Sequence, residues 1–288
     1  MVRERKLLGG VALIGFAAIL ASAATPTLAD TSVKARYVAT LAGFPVGSGT
    51  LDFGYGNGGD FRADVDAQVR GLATLVANRS AAATASGKAS GRDVASLAYK
   101  LAIDGGAEPN HVGMTFASGA VKQLEATEIH LPGWDRRIPL LPEHKKGVID
   151  PLAAFVLPVA AGRDPMDQAN CDHTARVFDG RVRYDLRMTY GTKMDVQGKE
   201  GYAGPALVCA VAYRPIAGFR PLSPAEEKFE RNLEMSIWFV PVGGANVMIP
   251  YKVVVGTPVG LLQVYAHAFT VEGGQTAEVT ATGSIPKR

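Results

Sequence analysis

Residues 170–186 read NCDHTARVFDGRVRYDL, and Cys171, Asp172 and His173 are the residue types that build a thiol nucleophile or a metal site. A reactive thiolate needs partial exposure and positive surroundings, and a catalytic Cys–His pair is assembled by the fold rather than by adjacency in sequence. The chain has two cysteines, Cys171 and Cys209. Cys209 lies in ALVCAVAY, residues 206–213, with Leu207, Val211 and Tyr213 on its own strand face and Ala206, Val208, Ala210 and Ala212 on the other. Apolar residues on both faces suit a buried sulfur. An even pair in an oxidising compartment reads as a disulfide, with two free thiols as the alternative, and a disulfide would deprive His173 of a nucleophile.

Other chemistry finds less support. His111, His130, His144, His173 and His267 are scattered, without HxH, HxxxH or CxxC spacing, whereas a structural zinc site wants four convergent ligands. No GxSxG elbow, P-loop or helix-opening GxGxxG occurs. Asp64 and Asp66 share the polar parity of a strand with Arg62 and Arg70, which reads as a solvated face. These patterns predict a protein without catalytic residues, metal or cofactor, an uncharacterised hydrolase being the weaker alternative.

The N-terminus predicts the compartment. Arg3, Arg5 and Lys6 form a basic head, Leu7 to Leu20 is an uncharged apolar run, and ASAATPTLAD offers cleavage after Ala24 or Ala29. That order is a secretory signal, and its apolar run is shorter than the roughly 20 residues of a membrane-spanning helix. We expect a signal peptide over 1–29 and one β-rich periplasmic domain over 30–288, not integral to the membrane. Loss of the leader removes three cations and one anion, so the formal charge of +3 falls to +1. A nearly neutral chain has no electrostatic footprint for nucleic acid.

Period-two alternation dominates the rest. In FRADVDAQVR, residues 61–70, Phe61, Ala63, Val65, Ala67 and Val69 take one parity and polar residues the other, the mark of a half-buried antiparallel strand. Two strands about a turn at 43–47 precede it. Further runs lie at 97–103, 111–127, 175–178, 181–190, 205–213, 233–242, 247–256, 259–271 and 276–283, with hairpin punctuation at DGGAEPN and PVGGANV. Asp179 and Gly180 are expected as the central pair of a type I′ turn. Two short helices interrupt the pattern: IDPLAAFVLPVA, with Asp150 as N-cap and Pro151 at its first position, and LSPAEEKFERN, with a Ser223–Glu226 capping box and Phe229 and Leu233 facing the sheet. The fold class is therefore mainly β: a long curled antiparallel sheet, as a β-spiral or a partly open barrel, with two short helices.

The ordered motifs YVATLAGFPVGSGTLDF, GLATLVANRS, GVIDPLAAF, VFDGRVRYDLRMTY and GPALVCAVAYRPIAGF resemble the exported bacterial family catalogued as domain of unknown function 3108, from Arg36 to the C-terminus. Ala153 stands where that family usually has the serine of DPLS, which weakens any role for the hydroxyl. The resemblance implies an envelope protein; the envelope integrity proteins of alphaproteobacteria, with a long β-spiral and a disulfide, are an analogy of architecture.

Two surface readings follow. Arg181, Arg183 and Arg187 alternate with Val182, Tyr184 and Leu186 and should line the opposite face of what reads first as a structural hairpin; the alternative is an arginine row that meets an anionic head group or a partner's carboxylates. In YRPIAGFRP, prolines fix the backbone around Tyr213, Arg214 and Phe219, whose aromatic rings read first as core packing and, alternatively, as anchors at a ligand or partner rim. A curled sheet with an apolar inner face would present Val65, Val69, Tyr184, Leu186 and Trp238 to a lipid or other hydrophobic small molecule; the alternative is a filled core that acts as a scaffold for a periplasmic protein partner.

Overall fold

The computed structural model describes residues 31–70, 78–105, 110–128, 136–198, 200–231 and 233–273. The leader, the GLATLVA part of GLATLVANRS and the expected strand at 276–283 lie outside them. The N-terminal half is a meander in which each strand pairs with the next: β1 Thr31–Leu41, β2 Phe44–Tyr55, β3 Asp60–Val69, β4 Ser80–Ser90, β5 Asp93–Asp104, β6 Asn110–Ala117 and β7 Ala120–Ala126. Alternation on β3 is obeyed where Phe61 and Ala63 are buried beside exposed Arg62, and it fades at the far end, where Ala67 is open to solvent.

Two hairpins of this half turn on consecutive residues with positive φ. Ala42 and Gly43 join β1 to β2, a tighter turn than the expected 43–47, and Ser118 and Gly119 split the run 111–127 into β6 and β7. Positive φ at both central residues is what a type I′ turn needs. Strand β4 has no counterpart among the expected runs. Its sequence SAAATASGKAS has one β-branched residue, Thr84, and no large apolar side chain, yet it pairs along β3 and β5, and a Cβ at Gly87 would come within 2.5 Å of the Phe61 ring. The aromatic ring on the neighbouring strand supplies the packing that the small residues lack.

The C-terminal half continues the sheet. After β8 Leu157–Pro158 come β9 His173–Phe178, β10 Arg183–Gln197, β11 Glu200–Gly201, β12 Ala203–Ala217, α1 Pro224–Arg231, which is the one α-helix among the described residues, then β13 Met235–Pro241, β14 Val247–Thr257 and β15 Gly260–Gly273. The strand order is β7-β6-β5-β4-β3-β2-β1-β15-β14-β13-β12-β10-β9, with β8 added to β14 and β11 pairing in parallel with β15. This is one long antiparallel sheet, curled but not closed strand to strand.

The seam between its ends is filled by the chain itself. Gly147 and Val148 donate to Gly119 O at the start of β7, Ile149 donates to Arg176 O, and Phe178 donates to Ile149 O. From there the chain passes inward: Asp150, Ala153, Ala154, Val156, Leu157 and Val159 are all buried. Asp150 caps this segment as expected, its Oδ1 accepting from the backbone N–H of Leu152 and Ala153 at 2.9 Å each. The α-helix expected here is corrected to one 3-10 turn, Ala153–Phe155, because the chain straightens at Val156 and Pro158 pairs with Val247 in β8. Proline inside a helix removes a donor and clashes with the preceding turn, whereas a short edge pairing tolerates it.

Helix α1 has its capping box, with Glu226 N–H donating to Ser223 Oγ and Ser223 N–H to Glu226 Oε2. Phe229, expected to face the sheet, instead remains 41% exposed.

Candidate functional site

Cys171 and Cys209 are joined in a disulfide and fully buried. Around them pack Leu157, Val177, Leu186, Met188, Leu207, Ile237 and Phe239, so the sulfurs staple the entry to β9 onto β12 inside a core. His173 is mostly buried and its pKa is lowered, chiefly by burial and then by Arg92. Among the described residues no group of three or more His, Cys, Asp or Glu is placed to hold a metal ion.

The arginine row expected after Asp179 is corrected. The loop runs over four residues: Arg183 is paired with Phe178, and Asp179 N–H donates to Val182 O. Gly180 has φ of +99° but Asp179 does not share the left-handed region, so the turn is not type I′. Asp179 instead folds back as an Asx turn, its Oδ1 accepting from Arg181 N–H and Val182 N–H. Arg181 leaves the row and crosses the seam, where its Nη2 donates to Asn110 Oδ1 at 2.7 Å, Thr127 O at 2.8 Å and His111 O at 3.1 Å. Arg183 is 8% exposed and meets Asp185 at 2.7 Å, an ion-pair approach that lies off the hydrogen-bonding direction of that oxygen. Only Arg187 of the three is exposed.

The other expected surface residues separate likewise. The rings of Tyr184 and Tyr213 lie 5.3 Å apart against the disulfide core, and burial drives the Tyr184 pKa upward. Arg214 is exposed opposite Asp185, and Tyr213, Arg214 and Phe219 border a groove of about 480 Å³ beside α1 with Ile138 and Leu222. Trp238 is half-buried and packs against the apolar cluster that includes Phe53, Ala63, Val156 and Ile249, with Lys252 Nζ 4.9 Å from its ring centre.

The hollow part of the molecule lies elsewhere, on the concave face of β1, β2, β3, β14 and β15. A cavity of about 270 Å³ is bounded by Tyr37, Leu51, Val65, Phe155, Val253 and Val264 among others, with Leu152, Phe155 and Val156 of the inward segment as its floor. A second hollow of about 320 Å³ shares Val264 and is lined by Ala39, Gly47, Ala67, Val69 and Ala81. The register explains the space: Ala39 faces Gly47, Gly47 faces Val69, Gly49 faces Ala67 and Ala67 faces Ala81. Four adjacent strands thus put glycine, alanine or valine on the same stretch. A Cβ at Gly49 would sit 2.7 Å from Asp66 O, so close strand approach excludes even a methyl group there. The Tyr37 hydroxyl is the polar side-chain group of the deeper cavity, and it donates to Pro250 O at 2.6 Å; burial first, then Tyr251, pushes its pKa upward.

Of the residues expected to line the interior, Val65 borders the deeper cavity and Val69 the shallower one, while Leu186 and Tyr184 belong to the disulfide core. Sequence reading missed Tyr37, Phe155, Val253 and the small residues. Their signal is the run of Gly and Ala at inward parity on consecutive strands.

A curled antiparallel sheet with an internal strap and an apolar hollow defines the class: a mainly β protein built on one long sheet whose ends are bridged by the chain rather than paired strand to strand. Residues 36–266 match the family described as Protein of unknown function (DUF3108), and the chain belongs to that family. No curated protein matches it. A similar solved structure is the beta-barrel-like protein of domain of unknown function DUF1849 from Brucella abortus, at 10% identity and a TM-score of 0.46, with 85% of this chain and 99% of that one covered.

Proposed function

We propose that the protein is a non-catalytic, periplasmic envelope protein that holds a lipid-like or other hydrophobic molecule on its concave face and so supports envelope integrity. The observation that carries this reading is the deeper cavity, whose lining is apolar and whose polar side-chain group, the Tyr37 hydroxyl, already donates to Pro250 O. Such a site gains from apolar contact and offers no unpaired group for catalysis. Export is supported by the basic and apolar leader and by the disulfide, which persists in oxidising compartments.

Native mass spectrometry of the chain recovered from a periplasmic extract is expected to retain a ligand that solvent extraction releases. The emptied protein is expected to bind an environment-sensitive fluorophore, and Val65→Phe to weaken that binding about tenfold by filling the cavity. No retained mass together with dye binding indifferent to Val65→Phe would refute the reading. A second reading, a scaffold for a protein partner, draws on the groove beside α1 lined by Tyr213, Arg214 and Phe219. It predicts a lipid-free protein whose partner binding is lost in Phe219→Ala.

A further inference from the structure

Two hairpin turns meet at one end of the sheet. Ala42–Gly43 joins β1 to β2 and Thr257–Gly260 joins β14 to β15; Ala42 N–H donates to Leu261 O at 3.0 Å, and a Cβ on Gly260 would stand 2.9 Å from the Ala42 Cβ. The Thr257 hydroxyl donates to Gly260 O at 2.6 Å and holds the second turn. The joined turns carry the two most exposed large hydrophobic side chains among the described residues, Phe44 at 69% and Val259 at 68%, with Leu261 at 39% beside them. Residues 41–46 and 256–262 contain no charged residue. Behind this tip stand two exposed arginines. Arg70 N–H donates to Val46 O at 2.9 Å and its Nε to Ser48 Oγ at 3.2 Å, and Arg79 lines the shallower hollow together with Val46. Neither is ion-paired among the described residues.

We propose that this tip docks on an anionic lipid bilayer, Phe44, Val259 and Leu261 entering the interface and Arg70 and Arg79 meeting phosphate head groups. The two turns project apolar bulk, their one side-chain hydroxyl, Thr257, being engaged within its own turn, and the two arginines behind them complement an anionic surface; apolar insertion and electrostatic attraction together are what interfacial binding requires. A second copy of the chain would supply no anion opposite the arginines, since the tip it would present is itself uncharged. The shallower hollow reaches Val46, so the bound tip would bring the concave face to the membrane. The docking is independent of whether that face holds a ligand.

The test is co-sedimentation with vesicles of phosphatidylglycerol and phosphatidylethanolamine, set against phosphatidylcholine vesicles. The native chain is compared with Phe44→Asp/Val259→Asp, with Arg70→Gln/Arg79→Gln, and with Leu97→Asp, which alters another exposed hydrophobic residue, on β5. Any contribution of residues 7–20 is common to all four chains and cancels. Binding to the anionic vesicles is expected to fall about 100-fold in the first variant, from roughly tenfold per buried side chain. The arginine variant should bind more weakly and with less dependence on salt, and Leu97→Asp should bind as the native chain does. Thermal unfolding checks that the exposed substitutions leave the fold intact. No binding to either vesicle type, or equal binding by the native chain and the Phe44→Asp/Val259→Asp variant, would overturn the proposal. So would a native dimer that this variant makes monomeric without any vesicle binding, which would assign the tip to a second copy.

Discussion

Asp150 carries the most quantitative expectation. It is fully buried at the point where the inward segment leaves the seam, and its partners are all neutral: Leu152 and Ala153 N–H donate to Oδ1, the Ser96 hydroxyl donates to Oδ2, and Ser96 Oγ accepts from Asp150 N–H. Burial outweighs these bonds and pushes its pKa from 3.8 up to about 6. The sign follows from proton binding. Below about pH 4 both folded and unfolded chains hold the proton and the group costs nothing; between about 4 and 6 the unfolded chain releases it first, so stability falls as pH rises; above 6 the loss is complete. A difference of roughly two pKa units corresponds to about 3 kcal/mol. Asp150→Asn keeps an Oδ1 acceptor for both backbone donors and lets an amide donate to Ser96, so it mimics the protonated carboxyl. Urea unfolding of both chains, with the disulfide intact, should give nearly equal stabilities at pH 4 and a variant more stable by about 2–3 kcal/mol at pH 7.5. Other titrations cancel in the difference. A stability difference that does not change between those pH values, or a variant that becomes relatively weaker as pH rises, would refute the reasoning.

Two further outcomes concern the staple and the seam. Closing a loop of 38 residues stabilises by about 4 kcal/mol in the chain-entropy model, so Cys171→Ser/Cys209→Ser should lower unfolding stability by roughly that amount, and the denatured but unreduced native chain should take up no maleimide; labelling at Cys171 would disprove the bridge. Arg181→Gln removes a charged donor from three acceptors across the seam and should cost about 2–3 kcal/mol, with faster amide exchange over Val121–Ala126; unchanged exchange there would show that the seam closes without it.

Much of the fold was legible because period two is a strong signal wherever one face is buried. Strand β3, the hairpin at PVGGANV and the α1 capping box follow from local chemistry alone. What escaped depended on partners distant in sequence. Arg181 looks like one member of an alternating row until Asn110, His111 and Thr127 come within reach, and Asp179 reads as a type I′ residue until its carboxylate is seen to cap the loop. Strand β4 was invisible because Ala, Ser and Gly carry no β-propensity, and its order comes from β3 and β5 on either side. The same property hid the hollow. Large apolar residues announce a core, whereas Ala39, Gly47, Gly49, Ala67 and Ala81 make space only by lying side by side, a fact of register.

The place of β1 in the strand order bears on how the chain can be made. β1 can pair with β2, its neighbour in sequence, as soon as both are free to fold, yet its other edge waits for β15, the last described strand, with Thr31 opposite Gly273. Pairing of such sequence separation is slow, and until it forms, a nascent chain presents eleven residues of unpaired backbone to any other strand nearby. A product truncated before Gly260 would keep that edge permanently and should aggregate rather than fold to a smaller barrel. The folding chain is therefore best protected by rapid pairing of β1 with β15, or by cover on β1 until β15 arrives.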